Sequence, residues 1–151
     1  MSRLLRWWTV IAWAALIWMF STSWFASENT GRIIEPAFQW LLPHASPETI
    51  ELLHAIVRKC GHFFEYFVFS LLVLRSLRGG HSGQPLKSAL LTIAIVAAYA
   101  SIDEFHQSFV PGRTAAVSDV LLDTAGGTIA QVLVAVWPSR SRRQFEAPTA
   151  D

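Results

Sequence analysis

Long apolar runs separated by short polar breaks dominate this chain. They cover residues 7–25, 59–77, 87–106 and 117–137. A helix needs about 20 apolar residues to cross a hydrocarbon core of roughly 30 Å, and each run meets that length. Gly79-Gly80, Gly83, Pro85 and Pro111-Gly112 fall between the runs, where turns belong. The pattern predicts an all-α, polytopic membrane helical bundle: four transmembrane helices, with an extracytoplasmic loop after the first. A single membrane domain is expected over 1–138, followed by a disordered cytoplasmic tail over 139–151.

The segment between the first two runs is mixed. Pro36 and Pro43 are expected to break it. Ser46-Pro47-Glu48 reads as a helix start, with Ser46 as N-cap and Pro47 in the first turn. The helix would then lie on the membrane surface or feed the second span. A cleaved leader is the rival reading of the first run, since Ala26-Ser27 supplies small residues after it. The run is long for a leader's apolar region, so a span is preferred.

Composition agrees with the runs. Hydrophobic residues make up 52% and charged residues 15% of the 151 residues, too apolar for an ordinary soluble domain. A net charge of +1 gives no basic field for nucleic acid. The single cysteine, Cys60, excludes an intrachain disulfide and a cysteine zinc cage. With both termini inside, Arg3, Arg6, Arg75, Arg78, Lys87, Arg140, Arg142 and Arg143 face the cytoplasm, and Arg32, Arg58, Lys59 and Arg113 face out. The eight-to-four split favours that orientation in a cytoplasmic (inner) membrane.

The informative departures are ionisable groups at the ends of the runs, because a charge at mid-membrane costs roughly 2.5–3.5 kcal/mol on insertion scales. At 100° per residue, Lys59, His62, Glu65 and Tyr66 share an arc of about 120° on the second helix. On the third, Asp103, Glu104 and Gln107 lie within about 100°. On the fourth, Asp119, Asp123, Gly126 and Ala130 form one stripe. Plainer explanations exist for some: a snorkelling Lys59, a first-turn Asp119 favoured by the helix dipole, glycines that let helices pack closely. Asp103 and Glu104 end a helix, where the dipole is unfavourable to carboxylates, so they need donor or cationic partners. Topology brings all three sets, with Arg113, to the outer side.

Three blocks carry a resemblance: Lys59-Cys60-Gly61-His62-Phe63-Phe64-Glu65-Tyr66; Asp103-Glu104, Gln107 and Phe109-Val110-Pro111-Gly112-Arg113; then Ser118-Asp119, Asp123 and Gly126-Gly127. Together, over a core motif at 59–136, they resemble the VanZ-like family of bacterial membrane proteins. The resemblance implies a multi-helix membrane protein and motif positions at Lys59, His62, Tyr66, Asp103, Gln107, Arg113, Ser118, Asp119 and Asp123. It also implies a link to resistance against the glycopeptide teicoplanin, described for the founding member. One departure is Asp123, where the family often carries Asn.

Binding is the first functional reading. Lys59 and Arg113 would grip an anionic lipid or cell-wall lipid precursor, with the carboxylates holding the cations. No cofactor is implied, and a homo-oligomer fits the small size. The alternative is an intramembrane enzyme acting on an outer-leaflet substrate, with His62 as base and Glu65, Asp103 or Glu104 as partner. In a variant of that idea, His62, Glu65, Asp103, Glu104 and Asp119 hold a divalent metal. No G-x-S-x-G nucleophile motif is present. A third reading, a proton-coupled carrier, requires a polar track through 68–74.

Overall fold

A computed structural model describes residues 3–79 and 85–137, with side chains from Leu5 onward. The expected tail at 139–151, with Arg140, Arg142 and Arg143, lies outside the described residues, as do Gly80 and Gly83. The described chain is helical: α1 (Arg3–Phe20), a 3-10 turn (Ser23–Phe25), α2 (Ser27–Leu41), α3 (Pro47–Arg78), α4 (Pro85–Gln107) and α5 (Val117–Val136). Helices α3, α4 and α5 are each long and apolar enough to span a membrane. A fourth crossing exists if α1 and the segment after it count as one span, broken by a 63° bend.

The first run therefore does not form one rod to residue 25. Helix α1 stops at Phe20, and Ser21 and Thr22 break it. The other difference is Pro36, which lies inside α2 and does not end it. Proline removes one helical donor and orphans a carbonyl four residues back. Here that carbonyl belongs to Arg32, and both residues are on the exposed side of α2, where solvent can satisfy it. Ser46 does cap α3, accepting from the Thr49 amide at 3.3 Å, with Pro47 following. The helix then runs unbroken from Pro47 to Arg78, so the surface segment and the second span are one element.

Helix α3 is central and touches α1, α2, α4 and α5. The close fit of α5 depends on glycine. A Cβ on Gly126 would stand 2.5 Å from the Phe63 carbonyl of α3, and one on Gly127 would stand 2.7 Å from Val96 Cγ1 of α4. Side chain–backbone bonds tie α1 in: Trp13 Nε1 donates to the Glu65 carbonyl at 2.9 Å, and Tyr99 Oη donates to the Ala14 carbonyl at 2.6 Å. Helix α2 is pinned to α3 by buried His54, whose ring lies 3.0 Å from Thr30 Oγ1 and 3.3 Å from Glu35 Oε1. Phe69, Val73, Leu74 and Val96 fill the bundle centre. Ser70 and Gln131 lie there too, but they bond to each other at 2.7 Å, and Ser70 donates to the Gly127 carbonyl. The layer at 68–74 is thus mostly apolar but carries this polar pair, and Gln131 Oε1 has no hydrogen-bond partner among the described residues.

Candidate functional site

The end of α1, the middle of α3, the end of α4 and the start of α5 meet at one end of the bundle. Asp103 is the hub of this junction and is 1% exposed. Its Oδ1 accepts from Ser21 Oγ at 2.5 Å. Its Oδ2 accepts from Tyr66 Oη at 3.2 Å and from Gln107 Nε2 at 3.1 Å. Gln107 also donates to Ser21 Oγ. The need for partners at this helix end is thus met by neutral donors from α3, from α4 itself and from the α1 break. Ser21 escapes sequence reasoning because a lone serine at the end of an apolar run looks like any other interfacial serine.

Glu104 is equally committed. Its Oε1 accepts from the Ala116 amide at 2.6 Å. Ala116 is the N-cap residue of α5 and has no side-chain acceptor of its own. A carboxylate from α4 thus supplies the acceptor and the negative charge that a helix start favours.

Arg113 sits in the loop before α5. Pro111 and Gly112 form the corners of a turn closed by the Arg113 amide donating to the Val110 carbonyl at 3.1 Å. Gly112 holds φ +77°, the left-handed value such a turn requires. The guanidinium then donates to the carbonyls of Phe20 and Thr22 at the end of α1, where a helix dipole favours a cation. Burial, and then the nearby positive charge of Arg58, push its pKa down from the ordinary value. Among the described residues Arg113 forms no carboxylate ion pair. Lys59 does: its Nζ lies 2.6 Å from Asp119 Oδ1, near the surface. Ser118 donates weakly to the same carboxylate at 3.4 Å.

His62 and Asp123 are different. His62 Nδ1 lies 3.8 Å from Asp123 Oδ2, within ion-pair range but beyond a hydrogen bond. Both Nδ1 of His62 and Oδ1 of Asp123 are enclosed without a hydrogen-bond partner. A buried polar atom left in that state costs about 1–3 kcal/mol, so the pair adds little to stability through its own contact. The His62 side chain is 20% exposed and Asp123 1%.

His62 borders two cavities of about 190 Å³ each. Arg58, Lys59, Thr114, Ser118 and Asp119 contribute to the walls of one. Arg58, Glu65, Arg113, Phe20 and Phe25 contribute to the other. Glu65 has no side-chain hydrogen bond or ion pair with any described residue. The structure thus brings His62 and Glu65 to the cavities, with Asp123 buried behind His62, whereas Asp103, Glu104 and Tyr66 are engaged in the packing beneath. Among the described residues no three His, Cys, Asp or Glu groups converge as a metal shell requires. Of the set His62, Glu65, Asp103, Glu104 and Asp119, Asp103, Glu104 and Asp119 are each bonded elsewhere, and Glu65 has no partner among the described residues. Arg58 is a wall residue that the motif blocks do not include, because the first of them begins at Lys59.

The sequence model of a family described as VanZ/LLP1 matches residues 6–138. No curated protein and no solved structure matches the chain.

Proposed function

The chain belongs to the VanZ/LLP1 family, and from that starting point we propose that it is an intramembrane enzyme in which His62 is the general base and Asp123 its charged partner. The observation that carries this reading is the slack His62–Asp123 pair, 3.8 Å apart, in which His62 borders two cavities and Asp123 is buried behind it. Catalytic hydrogen bonds are often long before substrate binds and tighten in the complex. In this reading His62 Nε2 takes the proton of a water or substrate hydroxyl, whose oxygen attacks the reacting centre. The imidazolium gives that proton to the leaving group. Asp123 at Nδ1 fixes the ring and stabilises the imidazolium, as a buried carboxylate does in histidine-based hydrolases. Glu65, also at the cavity wall, is a second acid–base group.

A water molecule occupies about 30 Å³ of liquid, and drug-sized pockets begin near 300 Å³. Cavities of about 190 Å³ suit the head of an amphiphile whose chain stays in the bilayer. The distribution of basic residues supports termini in the cytoplasm and a site at the outer leaflet. Binding without chemistry is the weaker reading, because it gives no role to the His62–Asp123 pair.

The test is reconstitution of the full chain and of His62→Ala in liposomes of a polar lipid extract, in water enriched in ¹⁸O. Lipids are followed by mass spectrometry. The expected outcome is a species consumed by the wild type alone, with ¹⁸O in the product where water is the nucleophile. Identical lipid inventories from both proteins defeat the proposal.

A further inference from the structure

Arg58 stands four residues before His62 on α3, so the two share a face of the helix. It lines both cavities that His62 borders. It is partly buried and makes no ion pair or hydrogen bond with any described residue. Arg58 also lines a third cavity with Glu28, Glu35 and Glu51, yet among the described residues no carboxylate comes within ion-pair distance of it. Asp119 in the first cavity is bonded to Lys59. Glu65 in the second faces Arg113 as well as Arg58. Arg58 is therefore a cation with no direct ion pair among the described residues, in a partly desolvated wall, an arrangement that a bound anion at the two cavities beside His62 would complete.

We infer that Arg58 is the anion-binding residue of this site, and that the molecule it receives carries a phosphate-type group. A guanidinium presents a planar fork of donors that matches such oxyanions two bonds at a time. The first cavity adds donors from other directions: the Lys59 ammonium and the hydroxyls of Thr114 and Ser118. A tetrahedral oxyanion accepts from several directions at once, whereas a flat carboxylate uses fewer of them. Seated there, the anion lies beside His62, which places the neighbouring bond within reach of the proton-transfer pair. That the bound molecule is also a substrate rests on the catalytic reading; the binding itself does not.

The experiment measures binding, without turnover, to the full chain in detergent micelles. The probes are dihexanoyl phosphatidic acid, the uncharged dihexanoylglycerol and inorganic phosphate. The wild type is expected to bind the phosphatidic acid and not the diacylglycerol. Arg58→Gln is expected to bind at least tenfold more weakly, and Arg32→Gln, altered on exposed α2, as tightly as the wild type. Inorganic phosphate binding on its own with similar strength identifies free phosphate as the ligand. Phosphatidic acid binding that free phosphate does not match identifies a lipid headgroup. Both outcomes support the assignment. Because Arg58→Gln can lose its fold, phenylglyoxal modification of the wild type is mapped in parallel, and phosphatidic acid or phosphate should protect Arg58 and leave Arg32 reactive. Wild-type affinity in a folded Arg58→Gln, no protection of Arg58, or no binding of either phosphate probe by the wild type overturns the inference. A protein that binds through Arg58 but turns nothing over leaves it standing and sinks the catalytic reading. Turnover by a folded Arg58→Gln that binds phosphatidic acid as tightly as the wild type does the reverse.

Discussion

His62 and Asp123 face each other across 3.8 Å from α3 and α5, with His62 Nδ1 and the carboxylate's other oxygen enclosed and unpartnered. Gly126, one turn after Asp123, sets that spacing, because it lets α5 approach the α3 backbone at Phe63. The pair is held by helix packing and not by its own bond.

The first prediction separates charge from shape. Asparagine at 123 keeps the volume and can still accept a proton bond from the ring, but it supplies no charge. General acid–base groups contribute about 10²- to 10⁴-fold to rate. His62→Ala should lose that whole factor. Asp123→Asn should lose a smaller part of it, with thermal unfolding unchanged. Equal turnover in Asp123→Asn and wild type would mean that Asp123 only orients the ring, which is also how an asparagine at this position would act.

Asp103 should behave in the opposite way. It accepts from Ser21, Tyr66 and Gln107 in a buried site. Asp103→Ala strands these donors, each costing about 1–3 kcal/mol. The expected result is a destabilisation of several kcal/mol by thermal unfolding in detergent, and lost activity only as far as fold is lost. Tyr66→Phe removes one donor and should cost about 1 kcal/mol.

Most of the bundle could be read from sequence, and the reasons for the exceptions are physical. Helices α4 and α5 and the membrane half of α3 follow from apolar length alone. Length does not reveal the break at Ser21 and Thr22, because serine and threonine satisfy helical carbonyls and do not interrupt an apolar pattern. Pro36 looks like a stop, but proline is tolerated where the orphaned carbonyl is exposed. The motif residues do gather at one end of the bundle. Their division into packing residues (Asp103, Glu104) and cavity residues (His62, Glu65) was not readable, because carboxylates a few residues apart differ only in which partner the tertiary fold brings. Arg58 looks like a surface cation until the two cavities beside it are seen.

Glycine substitutions give a paired test of the α3–α5 contact. Gly126→Ala places a methyl 2.5 Å from the Phe63 carbonyl and should cost about 1–3 kcal/mol, as overpacking does. Gly61 lies in α3, and a methyl there would meet nothing within 4 Å. Gly61→Ala should be neutral or stabilising by about 0.5–1 kcal/mol, since alanine loses less backbone freedom in a helix. Thermal unfolding of the two variants side by side checks the close approach. Equal stability would mean that the helices are further apart.

Arg113 should act as a tie between the α5 loop and the end of α1. Its guanidinium donates to Phe20 and Thr22 carbonyls, and Arg113→Ala leaves those carbonyls without that donor. Hydrogen exchange should quicken in the peptides covering residues 18–26 and stay unchanged over α4. Arg113→Lys should restore little, because one ammonium cannot reproduce the fork. Unaltered exchange at the α1 end would show that the break between Phe20 and Ser23 is held by the bonds of Ser21 to Asp103 and Gln107 instead.

The Lys59–Asp119 pair looks strongest on distance, at 2.6 Å, but its side chains are 55% and 30% exposed. Exposed pairs of this kind yield about 0–1 kcal/mol, since water screens the attraction and two flexible chains must be ordered. A double-mutant cycle with Lys59→Ala, Asp119→Ala and both together should give a coupling energy below about 1 kcal/mol, falling further as salt is raised. The pair's larger effect should be on the charge of the adjoining cavity. Asp119→Ala frees the Lys59 ammonium next to Arg58 and should tighten phosphate-type anions, whereas Lys59→Ala leaves an unpaired carboxylate there and should weaken them. Opposite signs from two substitutions of nearly equal structural cost are the outcome expected if this cavity holds an anion, and shifts of the same sign would argue that it does not.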